Sequence, residues 1–276
     1  MGVKVAVAGL VALAILAAGA APAGPSTGRV FATRVGSDAQ VSSNWAGYAL
    51  TGTNPDTTPV TYTNVTGTWV QPKVTCTAGE SYSAFWVGLG GFAADSQALE
   101  QIGTESNCTA GGRAVYAAWY EVLPAPSIPI RMKIRPGDRI TTAALVQGTQ
   151  VILQITNRTT HVRVTKRVTV AAPDLTSAEW IAEAPSECSS AGLCQTLPLA
   201  NFGAVAFSAS AATGGGHPGT ISDPAWTATP IELSEDKQNG VDVLVPQPRG
   251  SASGAVPGAL SDDGRGFSVV WHPASA

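Results

Sequence analysis

From Val41 onward the chain is written in short runs of β-branched and aromatic residues, each cut off by Gly, Pro, Asn or Asp. Runs at 43–50, 61–71, 84–89, 99–103, 115–123, 130–134, 139–145, 151–156, 161–170, 179–183, 202–208, 231–233, 241–245 and 267–271 read as strands. Between them, Pro136-Gly137-Asp138 and Gln147-Gly148-Thr149 supply turn chemistry. No amphipathic helix of ordinary length and no internal repeat is visible, and the glycines at 214–216 belong to a loop. A chain of this kind can cover its apolar faces only by laying sheet on sheet. The expectation is therefore all-β: a sandwich of two antiparallel sheets, or a barrel. At 276 residues it can do so as one unit.

The first residues are written differently. A positive start at Lys4 leads into an apolar run over 5–20, followed by small residues with A-x-A sites ending at Ala20 and Ala23. That order is a secretory signal, and the run is shorter than the roughly 20 residues a membrane-spanning helix needs. The expected organisation is a signal peptide at 1–23, a leader or short pro-segment at 24–40, and one sandwich domain at 41–276. Export, and no stable membrane association after the signal is removed, follow from it.

Four cysteines in an exported chain favour two disulfides, with three connectivities open. The favoured set joins Cys188 to Cys194 across a short loop, and Cys76 to Cys108 between two neighbouring loops. No C-x-x-C pair is present and the three histidines are scattered, so no metal or cofactor is implied. Charged residues are only 13% of the chain and the net charge is −3, which leaves no basic field for nucleic acid. With no long apolar helix to pair, monomer is the default.

Several hydrolytic signatures are missing. There is no H-E-x-x-H and no D-T-G or D-S-G. The single G-x-S-x-G, from Gly24 to Gly28, sits in the leader without a strand-to-helix turn. His161, His217 and His272 read as surface or structural residues. The sequons at Asn64, Asn107 and Asn157 matter only in a eukaryotic host. Acid–base chemistry is then left to carboxylates. Strand alternation puts Glu179, Ile181 and Glu183 on one side of their run, and Trp119 and Glu121 on one side of theirs. Carboxylates interleaved with aromatics suit a substrate groove, although a strand with glutamates facing water has the same pattern.

Six segments occur in a particular order. They are Ser43-Asn44-Trp45-Ala46-Gly47-Tyr48, Phe85-Trp86-Val87-Gly88-Leu89-Gly90-Gly91 and Leu99-Glu100-Gln101-Ile102-Gly103-Thr104, then Tyr116-Ala117-Ala118-Trp119-Tyr120-Glu121, Ala178-Glu179-Trp180-Ile181-Ala182-Glu183 and Leu197-Pro198-Leu199-Ala200-Asn201-Phe202-Gly203. This series resembles the glutamic peptidases (eqolisins, family G1, formerly A4), in their bacterial form. The resemblance covers about residues 41–211 and implies a sandwich of two bent antiparallel sheets with the active site on the concave face. It implies an endopeptidase acting on proteins or peptides, with Gln101 and Glu183 as the catalytic pair and Trp45, Trp86 and Glu121 around the substrate. Two family acids are replaced here, by Gly90 after the W-V-G stretch and by Ala117 before A-W-Y-E.

The pair makes chemical sense. A Glu can take a proton from water in acid and return it to the leaving amine, while the Gln amide donates to the developing oxyanion. Glu179, on the same side as Glu183, is expected to raise the pKa of Glu183 by like-charge repulsion. Two other readings share the aromatic and acidic strands: a carbohydrate-binding sandwich without catalysis, and a glycoside hydrolase using Glu121 with Glu183.

Overall fold

The computed structural model describes residues 39–94, 96–188, 194–234 and 254–273, with Cys188 and Cys194 described by their backbone alone. The expected signal peptide, nearly all of the expected leader and the expected strand at 241–245 lie outside these residues. The described elements are all strands. In chain order they are β1 (Gln40–Ser42), β2 (Trp45–Thr51), β3 (Tyr62–Val70), β4 (Ala84–Leu89), β5 (Glu100–Cys108), β6 (Ala114–Val122), β7 (Ile128–Ile130), β8 (Arg139–Gln147) and β9 (Gln150–Asn157). There follow β10 (Val162–Thr169), β11 (Ala178–Glu183), β12 (Ser186–Cys188), β13 (Cys194–Thr196), β14 (Ala204–Gly214), β15 (His217–Gly219), β16 (Thr227–Ser234), β17 (Gly254–Pro257) and β18 (Phe267–His272).

Hydrogen bonding links the strands in the order β10-β9-β8-β3-β14-β18-β17-β16-β2-β11-β4-β5-β6-β7, not closed into a barrel. This path doubles back to form the two layers of a sandwich. Side chains of one layer bond into the other: Trp69 Nε1 donates to Thr104 Oγ1 at 3.0 Å, Trp180 Nε1 to the Thr66 carbonyl at 2.7 Å, and Gln71 Nε2 to Ser106 Oγ at 2.8 Å. Between the layers lies the main core, to which β3 gives Tyr62, Val65 and Trp69, β4 gives Phe85 and Val87, and β11 gives Trp180. The indole N–H groups of Trp69, Trp180 and Trp226, all buried in this core, each find an acceptor there, as burial of a polar group requires. All strand pairs are antiparallel except β1 with β16.

The expected strands are largely present, with three differences. The alternation at 130–134 is real, with Met132 and Ile134 buried and Arg131 and Lys133 exposed, but the ladder ends at Ile130. That segment crosses from one layer to the other, so it packs one side without a neighbouring strand. The expected 202–208 strand runs instead over Ala204–Gly214, past a register shift between Ser208 and Ala211. Its second half is Ala, Ser and Thr, which carry little apolar signal. Gly214 therefore ends a strand, and only Gly215 and Gly216 form the turn.

Cys76 and Cys108 form the expected disulfide, with Cα atoms 5.5 Å apart. Cys188 and Cys194 face each other across the β12–β13 hairpin, as their expected pairing needs, but their side chains lie outside what is described.

Candidate active site

Strand β4 is buried along its whole length, on both faces. Phe85, Val87 and Leu89 point into the core, while Ala84 and Trp86 belong to a second apolar cluster on the opposite face. A sheet face turned away from the core is ordinarily solvated in an antiparallel sandwich. Here it carries Ala49, Ala84, Trp86, Phe92, Leu99, Ile181 and Ile231, with Trp45 and Trp119 packed against them.

The ladder registers place the expected site residues on this face in three rows. Trp45, Glu183, Ala84, Glu105 and Ala117 form the first row across β2, β11, β4, β5 and β6. Gly47, Ile181, Trp86, Gly103 and Trp119 form the second, and Ala49, Glu179, Gly88, Gln101 and Glu121 the third. Successive rows are two residues apart along each strand, so all their side chains share one side of the sheet. Gln101 and Glu183 thus occupy the outer rows with Trp86 between them.

Glycines make room for that indole. A Cβ on Gly103 would stand 2.2 Å from the Phe85 carbonyl oxygen and 2.7 Å from Trp86 Cβ. One on Gly88 would meet Trp86 Cζ3 at 2.9 Å and Gln101 Cβ at 3.3 Å. The ring therefore runs from the flank of Gln101 to the carboxylate of Glu183, whose Oε2 accepts from Trp86 Nε1 at 2.6 Å. Trp45 packs edge-on against Trp86, with ring centroids 5.0 Å apart.

Each member of the expected pair has its own support. Asn44 Nδ2 donates to Glu183 Oε1 at 3.4 Å, and Asn44 is itself steadied by Ser42, whose Oγ donates to its Oδ1 at 3.0 Å. Gln101 Nε2 donates to Glu121 Oε2 at 2.6 Å, while Gln101 Oε1 is buried without a hydrogen-bond partner among the described residues. Burial pushes the Glu121 carboxyl above its ordinary range, against the opposing effect of hydrogen bonds from Gln101 and the Ser127 backbone. Gln101 is 3% exposed and Trp86 0%, whereas Glu183, Glu121, Trp45 and Trp119 are half-buried. The floor is closed and its rim is open. Trp86 reaches the rim through its N–H, so it supports Glu183 more than it presents a ring.

The expectation for Glu179 is overturned. It shares the face with Glu183 but is fully buried, with both carboxyl oxygens unpartnered among the described residues. Burial holds it well above the ordinary carboxylate range, so it is neutral in acid and exerts no like-charge repulsion on Glu183. A single-strand reading gave the side of the sheet but not the depth.

Sequence reasoning missed Asn44 as a partner of Glu183, although it stands inside a quoted motif. It also missed Asp174. Gly90 has φ +79°, and a Cβ there would meet Asp174 Cβ at 2.6 Å and Cγ at 2.9 Å. The space where a side chain at 90 would begin is thus filled by a carboxylate from the segment before β11. At the other replaced position, Ala117 lies opposite Glu105 in the first row.

None of the histidines lies in the three rows. His217 Nε2 and Asp223 Oδ2, 2.9 Å apart, form an exposed pair elsewhere. Among the described residues, no group of three or more His, Cys, Asp or Glu is arranged to hold a metal.

A family model described as the Peptidase A4 family matches residues 43–248. Scytalido-glutamic peptidase, solved with a transition state analog inhibitor, superimposes with a TM-score of 0.63 at 25% identity, covering 83% of this chain and 98% of that one. Aspergilloglutamic peptidase from Aspergillus niger gives a TM-score of 0.52 at 25% identity, over 70% of this chain and 99% of that one. SCP-B, an eqolisin solved with the tripeptide Ala-Ile-His, shares the fold with a TM-score of 0.59 at 24% identity, covering 83% and 98% of the two chains. No curated protein sequence matches this one.

Proposed function

This chain belongs to the peptidase A4 family and is a glutamic endopeptidase, and we propose that it is exported and cleaves protein substrates in acid through Gln101 and Glu183. The observation that carries this reading is the placement of both residues on one apolar face, on either side of Trp86.

Amide hydrolysis needs a base for water, a donor for the oxyanion and an acid for the leaving nitrogen. A carboxylate has about four acceptor positions. Glu183 accepts from Trp86 and from Asn44, which fixes the plane of the carboxylate that takes the water proton. The activated water adds to the scissile carbonyl carbon, and the C=O electron pair moves onto oxygen. Gln101 has a second N–H beyond the one given to Glu121, and that hydrogen is free to meet the oxyanion. The protonated Glu183 then returns its proton to the nitrogen as the C–N bond breaks. A Glu with an ordinary pKa of about 4.3 is available in both forms in mild acid.

Peptide substrates are supported by the peptide-based analog and the tripeptide held by the similar proteins. Export, with removal of 1–23 and of a leader at 24–40, rests on the sequence of those segments. The glycoside hydrolase reading loses ground because Glu121 and Glu183 stand in different rows with β4 and β5 between their strands. Three strand spacings of about 4.8 Å put their backbones farther apart than the roughly 5–9.5 Å at which such carboxyl pairs work.

The test is digestion of a denatured protein by the purified mature chain across about pH 2–7, bracketing the ordinary Glu range. Glu183→Gln and Gln101→Ala are run beside it with folding checked. Cleavage in acid by the wild type, reduced by about 10³ or more in Glu183→Gln and about 10²–10³ in Gln101→Ala, is expected. Cleavage undiminished in a folded Glu183→Gln would overturn the assignment.

A further inference from the structure

The segment between β4 and β5 enters the site and is tied down by one side chain from elsewhere. Phe92 and Leu99 belong to the apolar cluster with Trp86 and Ile181. Leu99 Cδ1 would meet a Cβ on Gly88 at 3.0 Å, beside the Cβ of Gln101, and Gln101 follows Leu99 by two residues. This segment is therefore the support on which Gln101 begins.

Asp174 lies outside it, in the stretch leading into β11. Its Oδ2 accepts from the Gly91 amide at 3.3 Å and from the Ser96 hydroxyl in a short bond. Its Oδ1 accepts from the Thr176 amide at 2.9 Å and hydroxyl at 2.7 Å. Ser96 Oγ also accepts from Gly91 N at 3.1 Å, and the Gly90 amide donates to the Ser177 carbonyl at 3.1 Å. One carboxylate thus joins the segment before β5, which carries Gln101, to the segment before β11, which carries Glu183.

We infer that Asp174 is a positioning residue for hydrolysis, a latch that sets Gln101 and the Trp86 floor relative to the β11 carboxylate. This rests on the Gln101–Glu183 reading and adds a residue to it. Burial alone would raise the Asp174 carboxyl, but the Ser96, Thr176 and Gly91 donors outweigh it and hold it below the ordinary range. These donors therefore favour the ionised form of the latch. Its carboxylate neighbours, Glu100 and Glu179, are buried and held neutral, so neither competes for its donors.

The experiment measures kcat and KM for a peptide substrate with wild type, Asp174→Ala, Asp174→Asn, Ser96→Ala and the Asp174→Ala/Ser96→Ala double variant. Asp263→Ala serves as a control, because Asp263 holds an exposed turn between β17 and β18 through Ser261 and Arg265. All are assayed well below their melting temperatures. The expected result is a kcat at least tenfold lower in Asp174→Ala with KM within threefold. Ser96→Ala should fall in the same direction and Asp174→Asn in between. The double variant should match Asp174→Ala within twofold, and Asp263→Ala should match wild type. Wild-type kcat in both Asp174→Ala and Ser96→Ala would overturn the inference, as would losses that vanish on cooling in step with the folded fraction. If Asp174→Ala fails to fold, Ser96→Ala, which removes one hydroxyl, decides alone. A wild type that cleaves while Glu183→Gln does not leaves the parent reading intact whichever way Asp174 falls. A wild type without cleavage removes the parent reading itself.

Discussion

Gln101 has two N–H donors and one carbonyl acceptor, and Glu121 holds one of the three. An amide has no charge to orient it, so a side chain that must present a particular edge to a reacting carbonyl needs a partner of fixed polarity. The Glu121 carboxyl is that partner: burial raises its pKa, and its Oε2 accepts from the Gln101 amide. Truncating it in Glu121→Ala removes a buried hydrogen bond worth about 0.5–1.5 kcal/mol, so kcat should fall about 2- to 10-fold. KM should stay within about threefold if the lost bond acts on the transition state. Glu121→Gln, which keeps an acceptor oxygen, should lie between. Steady-state kinetics on the folded variants decides, and an unchanged kcat in Glu121→Ala would leave Gln101 held by something else. Glu179 shows the opposite fate of a carboxyl in the same row: fully buried, it is held well above the ordinary carboxylate range.

Strand β4 shows why two glycines recur beside a tryptophan. The Trp86 ring can lie along the sheet only because Gly88 and Gly103 carry no side chain, and a methyl on Gly103 would have to displace the Phe85 backbone. Gly103→Ala should therefore lose about 3 kcal/mol or more, or fail to fold, since overpacking against backbone cannot be relieved by a rotamer change. Thermal unfolding measures it, and a melting temperature within about 2 °C of wild type would contradict the close packing. Much of this was legible in the sequence. The period of two gave the strands and the shared side of Glu179 and Glu183, and the family resemblance carried by the Q-x-G and A-E-W-I-x-E runs is what nominates Gln101 and Glu183. What was not legible depends on registers between strands distant in sequence. Nothing near Asp174 announces a bond to Ser96, and nothing in the alternation of β11 says that Glu179 is buried while Glu183 reaches the rim. The early end of β7 was hidden because Met132 and Ile134 alternate as a strand does, whether or not a neighbour is present.

At the scale of the whole molecule, buried carboxyls make stability depend on pH. Burial, reinforced by the charge of Asp174, pushes the Glu100 carboxyl up to about 8 from an ordinary 4.5, and burial holds Glu179 well above its ordinary value. The folded state binds these protons more tightly than the unfolded chain does. Their contribution is complete below the ordinary carboxyl range and declines as pH rises from about 4.5 through about 8. Asp174 has the opposite sign: its lowered pKa adds stability above the ordinary range, which is lost as pH falls through its folded value. The protein should be most stable in mild acid and lose on the order of a few kcal/mol by slightly alkaline pH. Glu100→Gln should flatten that decline in a series of melting temperatures, and an unchanged slope would mean that Glu100 ionises freely in the fold. The acid range proposed for the Gln101–Glu183 pair would then coincide with the range in which its scaffold is firmest. The measurement that bears most directly on the pair is a double-mutant cycle in kcat with Gln101→Ala, Glu183→Gln and both together. If the two residues serve one transition state, the double variant should be no slower than the slower single variant, within about threefold. Losses that multiply, or a single variant that retains full activity, would show that Gln101 and Glu183 do not act as a pair.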